Sequence, residues 1–178
     1  MPEGPIAGQF LVATPAISTP PFARAVILLL EHDDTGAIGV MLNSDSGLLL
    51  ADVLPNLISL VNEPPHVFIG GPVSTDTALC LARSSSGRFI RPSALGSIGL
   101  IDPADPPDDV QDLRVFAGYA GWDPGQLEAE LEDQAWWVTL ADADAIFGDT
   151  NDLWRSTVRR APGRVPLFGT YTGHPSHN

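Results

Sequence analysis

The chain has 178 residues, 44% of them apolar, which is enough for one domain with a substantial core. It carries 22 acidic against 9 basic residues, a formal net charge of -13 that repels polyanions and disfavours nucleic acid as a partner. All the basic residues are arginines, so Schiff-base catalysis by lysine and the Walker A loop are excluded; the lone Cys80 excludes an internal disulfide and a cysteine-based zinc cluster.

In chain order, residues 9–13 read as a strand, followed by a Pro-rich loop over 14–21. Residues 24–30 and 37–42 are rich in Val, Ile and Leu and are joined by Asp33-Asp34-Thr35-Gly36, which predicts a central hairpin covered on both faces. The apolar run 25–30 is far shorter than the ~18 residues of a membrane span. The opening Met1-Pro2-Glu3-Gly4 lacks the basic start of a signal peptide, so a cytoplasmic protein with no membrane partner is expected. A short helix is predicted over 48–54, stopped before Pro55. A strand over 67–69 should leave through Gly70-Gly71-Pro72, and 77–82 is its candidate neighbour. Cys80, set among Ala78, Leu79, Leu81 and Ala82, reads as a small buried thiol.

Five aspartates and three prolines over 102–112 predict a solvated loop without the Gly and terminal Glu of a calcium loop. The sheet resumes over 114–117 and is expected to exit through a Gly-rich turn at 118–121. A helix then follows over 124–133, with Asp123 as cap, Pro124 in first position, Gln126 reaching back and Trp122 stapled to Leu127. Residues 136–140 form a strand and 142–147 a helical turn. The last helix, 149–160, turns Leu153, Trp154, Thr157 and Val158 inward and has arginines near its C-terminal end. Residues 1–7 and 173–178 are expected to be loose tails of a single domain spanning 1–178.

Four blocks stand in register: residues 10–15, Glu31-His32 with 36–43, Phe68-Ile69-Gly70-Gly71-Pro72-Val73, and Gly118-Tyr119-Ala120-Gly121-Trp122 running on to Gln126-Leu127-Glu128. In these blocks the chain resembles the YqgE/AlgH family of bacterial proteins over about residues 8–160. The resemblance implies an α+β fold, a single compact domain whose bent, bifurcated mixed sheet forms a pseudo-barrel with helices packed outside. It implies no established enzyme activity. The chain departs from the family where Asn43 is followed by Ser44-Asp45 instead of a basic residue and proline, which removes a basis for anion binding there.

His32, flanked by Glu31 and Asp33, has the composition of a carboxylate-oriented base, but no nucleophile accompanies it. A histidine closing a core strand is more often a hydrogen-bonded turn residue. Gly70-Gly71, with Ser74 and Thr75, could form an anion nest or a crowded strand exit. Trp122 and Gln126 could rim a pocket, although both already have roles at the helix start. His174 and His177 have metal-like spacing but no third ligand.

Candidate ligand-binding residues are therefore His32, Asn43, Gly70, Gly71, Trp122 and Gln126, with no metal and no cofactor expected. The leading expectation is a non-catalytic regulatory or protein-interaction domain; a small-molecule binder or enzyme using a pocket near His32, Asn43 and Gly70-Gly71 is the alternative. A nucleic-acid-binding regulator using the arginines of 155–164 ranks third. An enzyme requires these residues to converge in a concavity, whereas an interaction domain requires them bonded within the fold and an apolar or acidic patch exposed.

Overall fold

Strands with uninterrupted apolar runs present apolar side chains to both faces and can bury them only if each face finds its own cover. In the computed structural model, which describes residues 7–160, β1 (Gln9–Ala13), β2 (Val26–Asp33) and β3 (Gly36–Met41) do this. Phe10, Val12, Val26, Leu28 and Val40 enter one cluster, while Leu11, Ala13, Ile27, Leu29 and Met41 enter another. The predicted hairpin forms, with Asp33 paired to Gly36 and Ile27 to Met41.

The remaining strands are β4 (Asp45–Leu49), β5 (His66–Ile69), β6 (Val73–Ser84), β7 (Arg91–Pro92), β8 (Ile98–Ile101), β9 (Val110–Trp122) and β10 (Trp136–Leu140). They join in one sheet of order β10-β1-β2-β3-β9-β6-β8-β7. The long β9 pairs with β5 in parallel through Val115–Ala117 and with β3 antiparallel through Ala120–Trp122. β4 is attached outside β5. The sheet is therefore mixed and branches at β9. Val67-Phe68-Ile69 and Val115-Phe116-Ala117 run side by side, Val67 beside Val115 and Phe68 beside Phe116, with the two phenyl rings edge to face at 6.2 Å.

Both halves of the sheet contribute to one central cluster, Phe10, Val26 and Val40 from the first and Phe68, Leu81 and Phe116 from the second, so the sheet curls around it as a half-barrel. Helices α2 (Ala143–Phe147) and α3 (Leu153–Arg160) join that cluster through Ile146, Phe147, Leu153, Trp154 and Val158. Helix α1 (Gln126–Glu132) covers the other face of the first half through Leu127. Two 3-10 turns, Leu50–Asp52 and Pro55–Leu57, cover the second half through Leu50 and Leu57.

Three local expectations are corrected. Residues 48–54 are not one helix: 45–49 extend as β4 along β5, and only Leu50–Asp52 coil before Pro55. Ladder bonds to β5 outweigh the weak helical preference of so short a segment. Residues 118–121 are not a turn but the interior of β9, where Gly118 at φ +72° bends the strand and Gly121 pairs with Ile38. Asp123 is not a side-chain cap. Asp123-Pro124-Gly125-Gln126 is a turn closed by the Gln126 N–H on the Asp123 carbonyl at 2.9 Å, with Gly125 at φ +79°, and the helix begins at Gln126. Proline followed by a left-handed glycine suits a type II turn. The returning half of the capping box does form, the Asp123 N–H donating to Gln126 Oε1 at 2.9 Å.

Arg114, at the centre of β9, is fully buried. Its guanidinium donates to the carbonyls of Glu63, Ile146 and Gly148 at 2.8–3.1 Å and lies 4.5 Å from the Phe68 ring centre. Burial pushes its pKa down, opposed by the fields of Asp45, Asp112 and Asp149. Cys80 is buried as expected, and burial, aided by Asp102, pushes its thiol up to about 12, which makes it unreactive at neutral pH.

Asp109 ties the start of β9 to the end of β6, accepting from the Ser84 hydroxyl at 2.6 Å, the Ser86 hydroxyl at 3.0 Å and the Ser86 N–H at 2.7 Å. The Ser84 bond foremost, with the Ser86 bonds, holds its carboxyl at about 2 against an ordinary 3.8. A carboxyl depressed in the folded state stabilises fully above its unfolded value and loses that contribution as pH falls through its folded value. Melting curves should show Asp109→Asn less stable than the parent at neutral pH, with a shallower loss of stability between about pH 4 and pH 2. Identical acid profiles would contradict the assignment.

Candidate functional site

The hairpin register decides how the candidate residues can meet. His32 stands at the turn end of β2, paired across to Ala37, which in turn pairs with Trp122. Asn43 lies just beyond the opposite end of β3, where its side chain accepts from the Val26 N–H at 3.0 Å and donates to the Arg24 carbonyl at 2.9 Å. The structure thus sets the candidates in two groups.

The first group is His32, Trp122 and Gln126. The turn after β9 folds α1 back so that Glu128 Oε1 lies 3.2 Å from His32 Nε2, with the imidazole side chain only 12% exposed. Its sequence neighbours make bonds elsewhere, and Asp33 also feels the charge of His32. Glu31 pairs with Arg91 at 3.1 Å and Asp33 accepts from the Thr35 N–H at 2.8 Å, because adjacent residues of a strand project to opposite faces. Glu130, a residue that sequence reasoning missed, is the centre of this end. One of its oxygens accepts from the indoles of Trp122 and Trp136 at 3.0 and 2.9 Å, and the other accepts from the Gln126 amide at 3.0 Å. The spacing of Gln126 and Glu130, one helical turn apart, was the available signal. Trp122 is buried with Leu127, and its ring meets Trp136 edge to face at 6.1 Å.

The second group is Asn43, Gly70 and Gly71. The Gly70 N–H donates to the Ala117 carbonyl at 2.9 Å, and the Gly70 carbonyl accepts from the Met41 N–H at 2.8 Å. A Cβ at Gly70 would lie 2.2 Å from the Gly118 oxygen, and one at Gly71 would lie 2.1 Å from the Tyr119 carbonyl carbon. Both glycines are buried and let two backbones approach closely. This close approach accounts for the strand exit, and the Gly70 N–H is already bonded to the Ala117 carbonyl.

The two groups open onto different concavities. Asn43 lines a cleft of about 390 Å³ with Arg24 and Trp154. Trp122 lines one of about 350 Å³ with Glu31, Ile38 and Tyr119. Among the described residues, no three His, Cys, Asp or Glu side chains are grouped to hold a metal ion, and no helix is long and apolar enough to cross a membrane. His174, His177 and Arg164 lie outside the described residues, as do 1–6 and 173–178 of the expected tails; Arg155 and Arg160 pair with Asp152 and Asp142.

The AlgH-like family model matches residues 10–166. A UPF0301 protein of Streptomyces coelicolor is 42% identical over 184 residues, covering 97% of this chain and 95% of its own length. The UPF0301 protein of Nocardia farcinica is 39% identical over 179 residues, covering 93% and 82%. Two solved structures are each 30% identical. A protein from Corynebacterium diphtheriae superimposes with a TM-score of 0.87 over 96% of this chain and 95% of its own. The AlgH protein from Pseudomonas aeruginosa, solved in solution, does so with a TM-score of 0.71 over 98% and 100%.

Proposed function

The chain belongs to the AlgH-like family, and from that premise we propose that it is a non-catalytic, cytoplasmic protein-interaction domain that docks a basic, apolar segment of a protein partner. In this reading the whole chain acts as one unit, a pseudo-barrel sheet with its docking face on the outer side of the second half.

The observation that carries the reading is the face over residues 48–58. Leu48, Leu49, Val53 and Ile58 are 43–52% exposed, and every residue of β4 is exposed. Single exposed apolar residues need no explanation, whereas several on one short segment mark a contact surface. Charge selects the partner. No arginine lies between Arg24 and Arg83, while Asp45, Asp52 and Glu63 flank the apolar residues. A cationic segment is steered toward such a face and an anionic one is repelled, nucleic acid included. The register irregularity between Asp45 and Leu48, with Gly47 at φ +76°, twists this edge strand, a device that blunts indiscriminate strand pairing and leaves side chains to make the contact.

Selecting binders for the whole chain from a random peptide display library tests this. The expected peptides combine Arg or Lys with Leu, Ile or Val, and Leu49→Asp combined with Val53→Asp weakens them by about tenfold or more. Enrichment of neutral or acidic peptides, or unchanged binding by the double variant, would overturn the reading.

A further inference from the structure

We propose that the cleft between the Arg24 turn and the segment leading into α3 binds a small phosphorylated molecule bearing hydroxyl groups, such as a sugar phosphate. The cleft holds about 390 Å³ and is lined by Arg24, Asn43, Asp45, Thr150, Asn151 and Trp154, with Asp152 and Arg155 at its edge. That volume is at the small end of ligand pockets, larger than a bare phosphate needs and suited to a compact metabolite.

Arg24 brings to this corner the positive charge that Ser44-Asp45 do not supply, and among the described residues the Trp154 ring is its one cation–π partner. Its backbone has φ +60°, a conformation unfavourable for a residue with a side chain that persists only where the surroundings enforce it. Asn43 enforces it, holding the Arg24 carbonyl and the Val26 N–H. The result sets the guanidinium 4.7 Å from the ring centre of Trp154, itself buried and fixed by its indole bond to the Ala13 carbonyl at 2.7 Å.

In a chain of net charge -13, an arginine beside two carboxylates should pair with one. Neither does so. Asp45 is engaged by His66 Nδ1 at 2.9 Å and by the Gly47 N–H at 2.8 Å. Burial works against its charge, but these bonds and the nearby His66 and Arg114 outweigh it and hold its carboxyl below the usual range. Asp152 pairs with Arg155 at 3.5 Å. Among the described residues the Arg24 guanidinium has no ion pair, and the Thr150 hydroxyl and Asn151 amide have no hydrogen-bond partner. A preset guanidinium fork with two neutral donors on the same cleft suits a phosphate group. Carboxylates along the rim accept from ligand hydroxyls and exclude a second large anionic charge.

Amide chemical shifts of the whole chain, recorded while titrating ribose 5-phosphate, inorganic phosphate or ribose, test the proposal. Ribose 5-phosphate is expected to shift Arg24 and residues 150–155 at lower concentration than phosphate, with ribose alone inert. Arg24→Asn should weaken the response about tenfold without lowering the melting temperature, since asparagine tolerates the left-handed backbone, while Arg88→Gln leaves it unchanged. Shifts absent from 150–155, equal responses to phosphate and ribose 5-phosphate, equal affinity in Arg24→Asn, or equal losses in both variants would overturn it.

Discussion

Replacing Arg114 by leucine should lower the unfolding free energy by about 3–5 kcal/mol, among the largest effects of any single change in this chain. The reason is the group of acceptors that Arg114 serves. The carbonyls of Glu63, Ile146 and Gly148 come from two loops and a helix end, and without the guanidinium they lose this shared donor, each at about 1–3 kcal/mol before relaxation. Leucine also gives up the stacking on Phe68. Arg114→Lys should recover only part of the loss, because one ammonium on a flexible stem cannot reproduce a planar fork. Urea unfolding of the two variants measures this, and a leucine variant within about 1 kcal/mol of the parent would show that the carbonyls find other donors.

Trp122→Ala should cost about 3–5 kcal/mol, the range for truncating a large buried aromatic. Its ring fills the space between β3, α1 and Trp136, and its indole supplies one of the three bonds that fix Glu130. Trp122→Phe separates the two contributions: it keeps most of the packing and loses the indole bond, for about 1 kcal/mol plus any cavity. An alanine variant as stable as the parent would sink the staple at this corner.

What the sequence makes legible here is what short-range pattern can encode. Two Val/Ile/Leu runs around an Asp-Asp-Thr-Gly turn specify the hairpin, and the inward face of α3, Leu153, Trp154, Thr157 and Val158, follows from helical spacing. Apart from Asp123, which a local Pro-Gly turn keeps from capping the helix, the misreadings share one cause, a partner distant in the chain. Gly118 to Gly121 resemble a turn in isolation, yet a Cβ at Gly70, Gly71 or Gly118 would lie 2.1–2.6 Å from the backbone of another segment. β4 extends because β5 offers it a ladder. The carboxylate facing His32 is Glu128, 96 positions away, whereas the neighbours that suggested a base project elsewhere. Nothing in a linear pattern marks Arg114 as buried, since an arginine in a strand is ordinarily an edge or surface residue.

In the proposed function the family's blocks build the fold while the acidic, apolar face over 45–58 makes the contact. The most direct test compares His32→Ala, Asn43→Ala and Val53→Asp for both melting temperature and affinity for a selected cationic peptide. His32→Ala and Asn43→Ala are expected to lose stability, because each breaks bonds that join segments of the fold, and to keep affinity within about twofold of the parent. Val53→Asp is expected to keep its stability and to lose about tenfold or more in affinity. The opposite pattern, affinity lost at His32 or Asn43 with stability intact and Val53→Asp without effect, would contradict the proposed function.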